Sequence, residues 1–200
     1  GGKYRLDGTK SFVLDGHTAD LIVVLARRPG STGADELSLF TVRGNAAGLQ
    51  RQRLESMDPT RKLARIEFSS VEANLLGQDG AACTPVQATL DIAAICLANE
   101  MVGGADRLRE TAIEFANMRY QFGRPIASFQ SLKHKAADML MEIELAKSAA
   151  YCAAAAADEG DPELPALASI AKAATSEAYM KTAINAVQIH GGIGFTWEHD

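Results

Sequence analysis

The hydrophobic period of the chain changes once, at residues 77–85, and that change divides what the sequence can fold into. Before it, apolar runs are short and closed by turn residues. Tyr4-Arg5-Leu6 and Lys10-Ser11-Phe12-Val13-Leu14 flank Asp7-Gly8, a pair that tolerates positive φ and so predicts a hairpin turn. Residues 21–26 form a continuous apolar run of buried-strand length, and 37–42, 49–54 and 63–68 read as further strands. After Pro85 the spacing becomes helical. Leu90, Ala94, Leu97, Met101, Ala105, Leu108, Ala112 and Phe115 recur at three and four, which sets one stripe on one helix face. Leu132, Ala136, Met139, Ile143, Ala146 and Ala150 repeat the pattern, and a third helix is expected after Pro162 or Pro165, with Leu167, Ala171, Ala174 and Ala178 inward. Such helices run about 25 to 30 residues, or roughly 40 Å. The fold class is therefore α+β: part of a small β-barrel or sandwich over residues 1–80, then an antiparallel helix bundle, of the four-helix kind, over 81–200.

Composition narrows the function classes. With 47% hydrophobic residues the chain can bury a proper core, and a net charge of -5 argues against a nucleic-acid binder. No uninterrupted apolar run approaches the roughly 20 residues that cross a bilayer. Cys83, Cys96 and Cys152 are odd in number and far apart, and are expected as reduced, mostly buried residues of a cytoplasmic protein. The opening Gly1-Gly2-Lys3 lacks Met, and the final Trp197-Glu198-His199-Asp200 has no natural stop, so a piece of a longer chain is expected.

Two motifs carry the chemistry. Arg119-Tyr120-Gln121-Phe122-Gly123-Arg124-Pro125-Ile126, followed by Phe129-Gln130, lies where the first long helix ends. Arg119 offers a planar fork suited to a pyrophosphate, and Gln130 opens the next helix, whose first backbone N–H groups are free for an anion. An arginine near a helix C-terminus also serves as a plain dipole partner. Gln188-Ile189-His190-Gly191-Gly192-Ile193-Gly194-Phe195 is the second motif, and its three glycines let backbone approach a ligand closely. It reads equally as a helix-ending turn. His190 has no carboxylate nearby in sequence, which favours a contact role over a base. No metal-ligand spacing is visible.

Together these motifs closely resemble the C-terminal domain of acyl-CoA dehydrogenases, and the resemblance extends over the whole chain. Asp7-Gly8-Thr9-Lys10 and the residues to Leu14 look like the family's β-domain segment beside the flavin. Asp79-Gly80 looks like its hinge into the helices, and Lys133-His134-Lys135-Ala136-Ala137-Asp138-Met139 fits the helix after the Phe-Gly turn. The resemblance implies FAD as cofactor. Arg119, Phe122 and Gln130 would contact its pyrophosphate and adenine side. Gln188, Ile189, His190, Gly191 and Gly192 would reach the FAD of a neighbouring subunit, in a homodimer, homotetramer or heteromer. Phe12 matches an aromatic residue that packs on the isoalloxazine. Leu14 falls where many members carry Thr or Ser, whose hydroxyl bonds the flavin.

The implied reaction is α,β-dehydrogenation of an acyl-CoA thioester: a carboxylate takes the α-proton while the β-hydride passes to flavin N5. An electron-transfer flavoprotein is the implied acceptor. Most members carry the catalytic Glu beyond the position of residue 200, and a minority carry it on the first long helix, where this chain has Ala93. Glu100, two turns further on, is a displaced candidate, set among Leu97, Met101 and Val102; it reads also as a structural interface residue or part of a solvated face. An FAD-binding but non-catalytic subunit of a heteromeric dehydrogenase, a cofactor-free helical module and an acyl-CoA oxidase are the alternatives.

Overall fold

The computed structural model describes residues 4–199; Gly1, Gly2, Lys3 and Asp200, which frame the expected ends, lie outside the described residues. The chain forms two compact units, Gly1–Gln87 and Ala88–Asp200.

The first unit is a curled antiparallel sheet of β1 (Tyr4–Leu14), β2 (Leu21–Arg27), β3 (Leu37–Arg43), β4 (Leu49–Arg53) and β5 (Leu63–Leu76). Its spine is β5, which pairs with β1 along its length, with β4 over its first half and with β3 at its end. Period-2 alternation puts Ala64, Ile66 and Phe68 inside, and Val71 and Ala73 keep the same face. That phase jump needs one extra residue, which Ser70 supplies at φ 50. Phe40, Val42, Ile22, Val24 and Leu6 complete the core.

Asp7-Gly8 does not turn a hairpin. The two residues sit within the continuous β1, opposite the β5 bulge. There Asp7 Oδ1 accepts from the Ser70 N–H (2.7 Å) and Arg5 Nη1 donates to the Ser70 carbonyl (2.9 Å). A turn-favouring pair thus serves a bulge, because the bulged backbone leaves polar groups that a short carboxylate can reach. At the sheet's end Ser38 Oγ donates to Asp79 Oδ1 (2.6 Å) and accepts from the Gly80 N–H (2.8 Å), while Arg28 Nη2 lies 3.2 Å from Asp79 Oδ2. These bonds fix the segment that leads into the first helix.

Three long helices follow: α1 (Cys83–Met118), α2 (Gln130–Glu159) and α3 (Leu164–His190). α1 is longer than the spacing of its stripe suggests. It packs through Ile95, Ala98 and Val102 on Ala150, Ala153, Ala168 and Ala171, and through Ala112 and Ala116 on Met139, Ala186 and Ile189. α1 is therefore antiparallel to α2 and parallel to α3. Alanines let the backbones of α2 and α3 approach closely, while α1 meets both through side-chain contacts. The inward stripe of α2 lies where the spacing predicts it, over Met139, Ile143, Ala146 and Ala150. In α1 the buried stripe is Ile95, Ala98, Val102, Ala105, Ala112 and Ala116, so Leu90 and Leu97 face outward. Large apolar residues fill both faces of this helix, and periodicity alone cannot tell which is the inner one. By length and composition α1 also passes for a membrane-crossing helix, although these contacts bury one side of it within the helical unit. Gly160, at φ 67, ends α2, with its N–H and that of Asp161 taking the last carbonyls. All three cysteines are free thiols, and all are exposed rather than buried: each lies on an outer face of its helix.

Candidate cofactor site

Phe12 owes its position to a second bulge. The β1–β5 register slips between Lys10 and Val13, and Phe12 takes up the slack at φ 58. Left-handed backbone costs a non-glycine residue about 1 kcal/mol, yet the ring is 74% exposed and gains no core contact in return. Leu14 ends the strand with its side chain 55% exposed.

The turn between α1 and α2 is a miniature hairpin. β6 (Tyr120–Gln121) pairs with β7 (Arg124–Pro125), and the two central residues, Phe122 and Gly123, have φ 56 and 76. That is the type I′ geometry, which suits Gly123 and strains Phe122. Phe122 is 88% exposed. The base of the hairpin is Arg119, whose N–H donates to Phe115 O (2.9 Å) and whose carbonyl accepts from the Ile126 N–H (2.9 Å). The Arg119 side chain is exposed. Arg124 lies over the Phe129 ring at 4.1 Å, and Phe122 meets the same ring edge-on at 6.0 Å. Phe129 caps α2 with no side-chain bond, and no carboxylate lies in the first turn. The N-terminal donors beside Gln130 are thus open to an anion.

α3 ends at Gly191 (φ 67), whose N–H returns to Val187 and Gln188 carbonyls, and the chain continues as the 3-10 turn Gly191–Phe195. A Cβ built on Gly191 or Gly192 would meet nothing within 4 Å, so their backbone is accessible. His190 turns inward: Nδ1 bonds Ala186 O at 2.7 Å and the ring stacks on Phe115 at 4.4 Å.

The two motifs share one groove of about 340 Å³, lined by Phe122, Ile126, Phe129, Ser131, Leu132, Lys135, Gln188 and Ile189. Phe122, Gln188 and Ile189 of the residues singled out from sequence line it. Arg119 leads into the hairpin, Gln130 opens α2, and His190, Gly191 and Gly192 follow Ile189, but none of these lines the groove. Ser131 and Lys135 are not legible as site residues; the available signal is their i,i+4 spacing, which puts them together on α2 beside Leu132. Lys135 Nζ donates to Asn185 Oδ1 (2.8 Å), tying α2 to α3 beside the groove. Glu100 lies exposed on the outer side of α1, as does Ala93. The larger notch of about 1000 Å³, beside Arg5, Arg43 and Ser69 in the sheet unit, holds none of the expected site residues. The groove fits a nucleotide cofactor in kind: apolar and aromatic walls for a planar ring, one amide for orientation, and an uncapped helix N-terminus at its rim.

An antiparallel sheet followed by long helices is the arrangement this chain shares with acyl-CoA dehydrogenases of known structure. Residues 1–71 match the model of the acyl-CoA dehydrogenase middle domain, and residues 83–200 that of the acyl-CoA dehydrogenase C-terminal domain. The chain belongs to the acyl-CoA dehydrogenase family. It is 36% identical over 189 residues to acyl-CoA dehydrogenase IpdE2 of Mycobacterium tuberculosis, covering 94% of this chain and 51% of the relative. The butyryl-CoA dehydrogenase structure from Megasphaera elsdenii superposes with a TM-score of 0.94 at 33% identity, over 99% of this chain and 53% of that one. A structure of PigA with FAD and proline gives a TM-score of 0.91 at 28% identity, over 98% and 52%. The chain thus spans about half the length of the relatives it matches.

Proposed function

We propose that this chain is the flavin-side portion of an FAD-dependent acyl-CoA dehydrogenase. The observation that carries the reading is the meeting of Phe122 with Gln188 and Ile189 around one groove of a single protomer, which supports one FAD served by both motifs rather than the division between neighbouring subunits that the resemblance implies. FAD, when bound, supplies the acceptor for the β-hydride of an acyl-CoA thioester. Arg119 and the N–H groups at the start of α2, beside Gln130, hold the pyrophosphate. Phe122 and Phe129 wall off the adenine side, Gln188 orients it, and Gly191 and Gly192 admit close backbone approach. Phe12 packs on the isoalloxazine. Leu14 carries no hydroxyl, so contact there is apolar. The ordered groups act by placing and desolvating the reactants, and the α-proton needs a carboxylate within hydrogen-bond reach. Glu100 is the candidate within these residues. Electrons leave to an electron-transfer flavoprotein, and the site is completed by oligomerisation.

The test is flavin content of the full-length protein. Arg119→Ala is expected to lower bound FAD per protomer at unchanged melting temperature; unchanged flavin rejects the assignment. Substrate bleaching of bound flavin judges the base, because Glu100→Gln with full bleaching removes Glu100 from the reaction. Leu14 and Ala93 favour a second reading, an FAD-binding, non-catalytic subunit of a heteromeric dehydrogenase. Dye reduction that arises only on mixing with a separately made homologue would select it.

A further inference from the structure

We propose that His190 is a positioning residue: its imidazole, held as the Nδ1–H tautomer, clamps the end of α3 so that the Gly191–Gly192 backbone stays open to a ligand. Four contacts converge on this side chain, one of them the His199 ring, which meets it edge-on at 4.7 Å. Nδ1 lies 2.7 Å from Ala186 O, and a carbonyl only accepts, so the proton sits on Nδ1. The ring stacks on Phe115 of α1, with centroids 4.4 Å apart and planes at 29°. Gly194 folds back over it so closely that an added Cβ would stand 2.8 Å from His190 Cβ. Nε2 is buried with no hydrogen-bond partner. A buried nitrogen left unpaired costs about 1–3 kcal/mol, so an ordinary phenyl ring would fill the place better unless the Nδ1 donor were needed. The need is local. The Gly191 N–H is committed to Val187 and Gln188 carbonyls, and the His190 ring donates to Ala186 O, one of the last carbonyls of α3. The clamp thereby joins α3, α1 and the glycine turn through one ring that does not itself line the groove.

The experiment is amide exchange of the full-length protein without added flavin, followed over residues 191–195. His190→Ala is expected to speed exchange there about tenfold while α2 amides keep their rates, and wild-type exchange in this variant overturns the clamp. His190→Phe restores the stack without the donor and is expected to recover only part of the protection; full recovery overturns the donor role. If His190→Ala does not fold, Phe115→Leu attacks the same stack from α1 and is expected to loosen the same turn. Nitrogen NMR of the histidine rings checks the tautomer directly, and a His190 ring protonated at Nε2 instead contradicts it. The consequence for cofactor rests on the FAD reading: His190→Ala is expected to weaken FAD binding about tenfold. A protein that takes up no FAD in any variant defeats that reading, and the exchange data then judge the clamp alone.

Discussion

Phe122 and Phe12 carry the same signature: an exposed aromatic in left-handed backbone, one at the tip of a hairpin and one in a strand bulge. Phe12 has no core contact to offset its conformation and Phe122 has only the edge-on contact with Phe129, so each is explained chiefly by what it presents outward. Phe122→Gly is expected to stabilise the protein by about 1 kcal/mol, a rise in Tm of about 2–4 °C, while FAD affinity falls. A fall in Tm would show that the ring has a structural duty. Asp79 makes a second residue-scale case. The Ser38 hydroxyl bond chiefly, and the Arg28 guanidinium with it, hold its carboxyl below the usual carboxylate range. A depressed folded value means that the stabilisation is complete above the ordinary aspartate range and is lost as pH falls through the folded value. Ser38→Ala is therefore expected to destabilise at pH 7 and to flatten the acid limb of the stability profile below about pH 4. An unchanged acid limb would contradict the assignment.

At the scale of elements, Gly160 and the hairpin do opposite work. Gly160 closes α2 without strain, and Gly160→Ala is expected to cost about 1 kcal/mol, read as the midpoint shift in denaturant melts. Much of this level was legible in the sequence. The change of period at residues 77–85 foretold strands and then helices, and the α2 stripe fell where its spacing put it. The failures have physical causes. Asp7-Gly8 has turn chemistry, but Asp7 spends its carboxylate on a bulge in another strand, a long-range pairing that no local pattern encodes. Of the α1 stripe, Ala105 and Ala112 are buried and Ala94, Leu108 and Phe115 pack against the core, but Leu90 and Leu97 face outward, because apolar residues on both sides of the helix leave its phase ambiguous there. The cysteines were placed inside on residue type alone, whereas helix phase sets them outside. The glycine-rich end of α3 was legible; the inward turn of His190 was not, since stacking on Phe115 depends on helix packing.

For the whole molecule, the exposed apolar residues say that these 200 residues do not bury all of their hydrophobic surface by themselves. α3 carries a second stripe, Ile170, Met180, Ile184 and Val187, outside its buried one, and α2 adds Met141 and Leu145. The relatives this chain matches are about twice as long. The full-length protein is accordingly the object to test. In the proposed function the turn after α1 and the glycine end of α3 clasp one dinucleotide. Gly192→Leu probes this, because a Cβ at that position meets nothing within 4 Å in the protomer and the larger side chain is therefore directed into the space a ligand or an adjoining chain would take. Flavin absorbance per protomer is the deciding measurement. The account predicts FAD close to one per protomer in the wild type, and about a tenfold loss in Gly192→Leu with Tm and oligomeric state kept. A wild type that purifies colourless and refuses added FAD, or a Gly192→Leu protein as yellow as its parent, would contradict it.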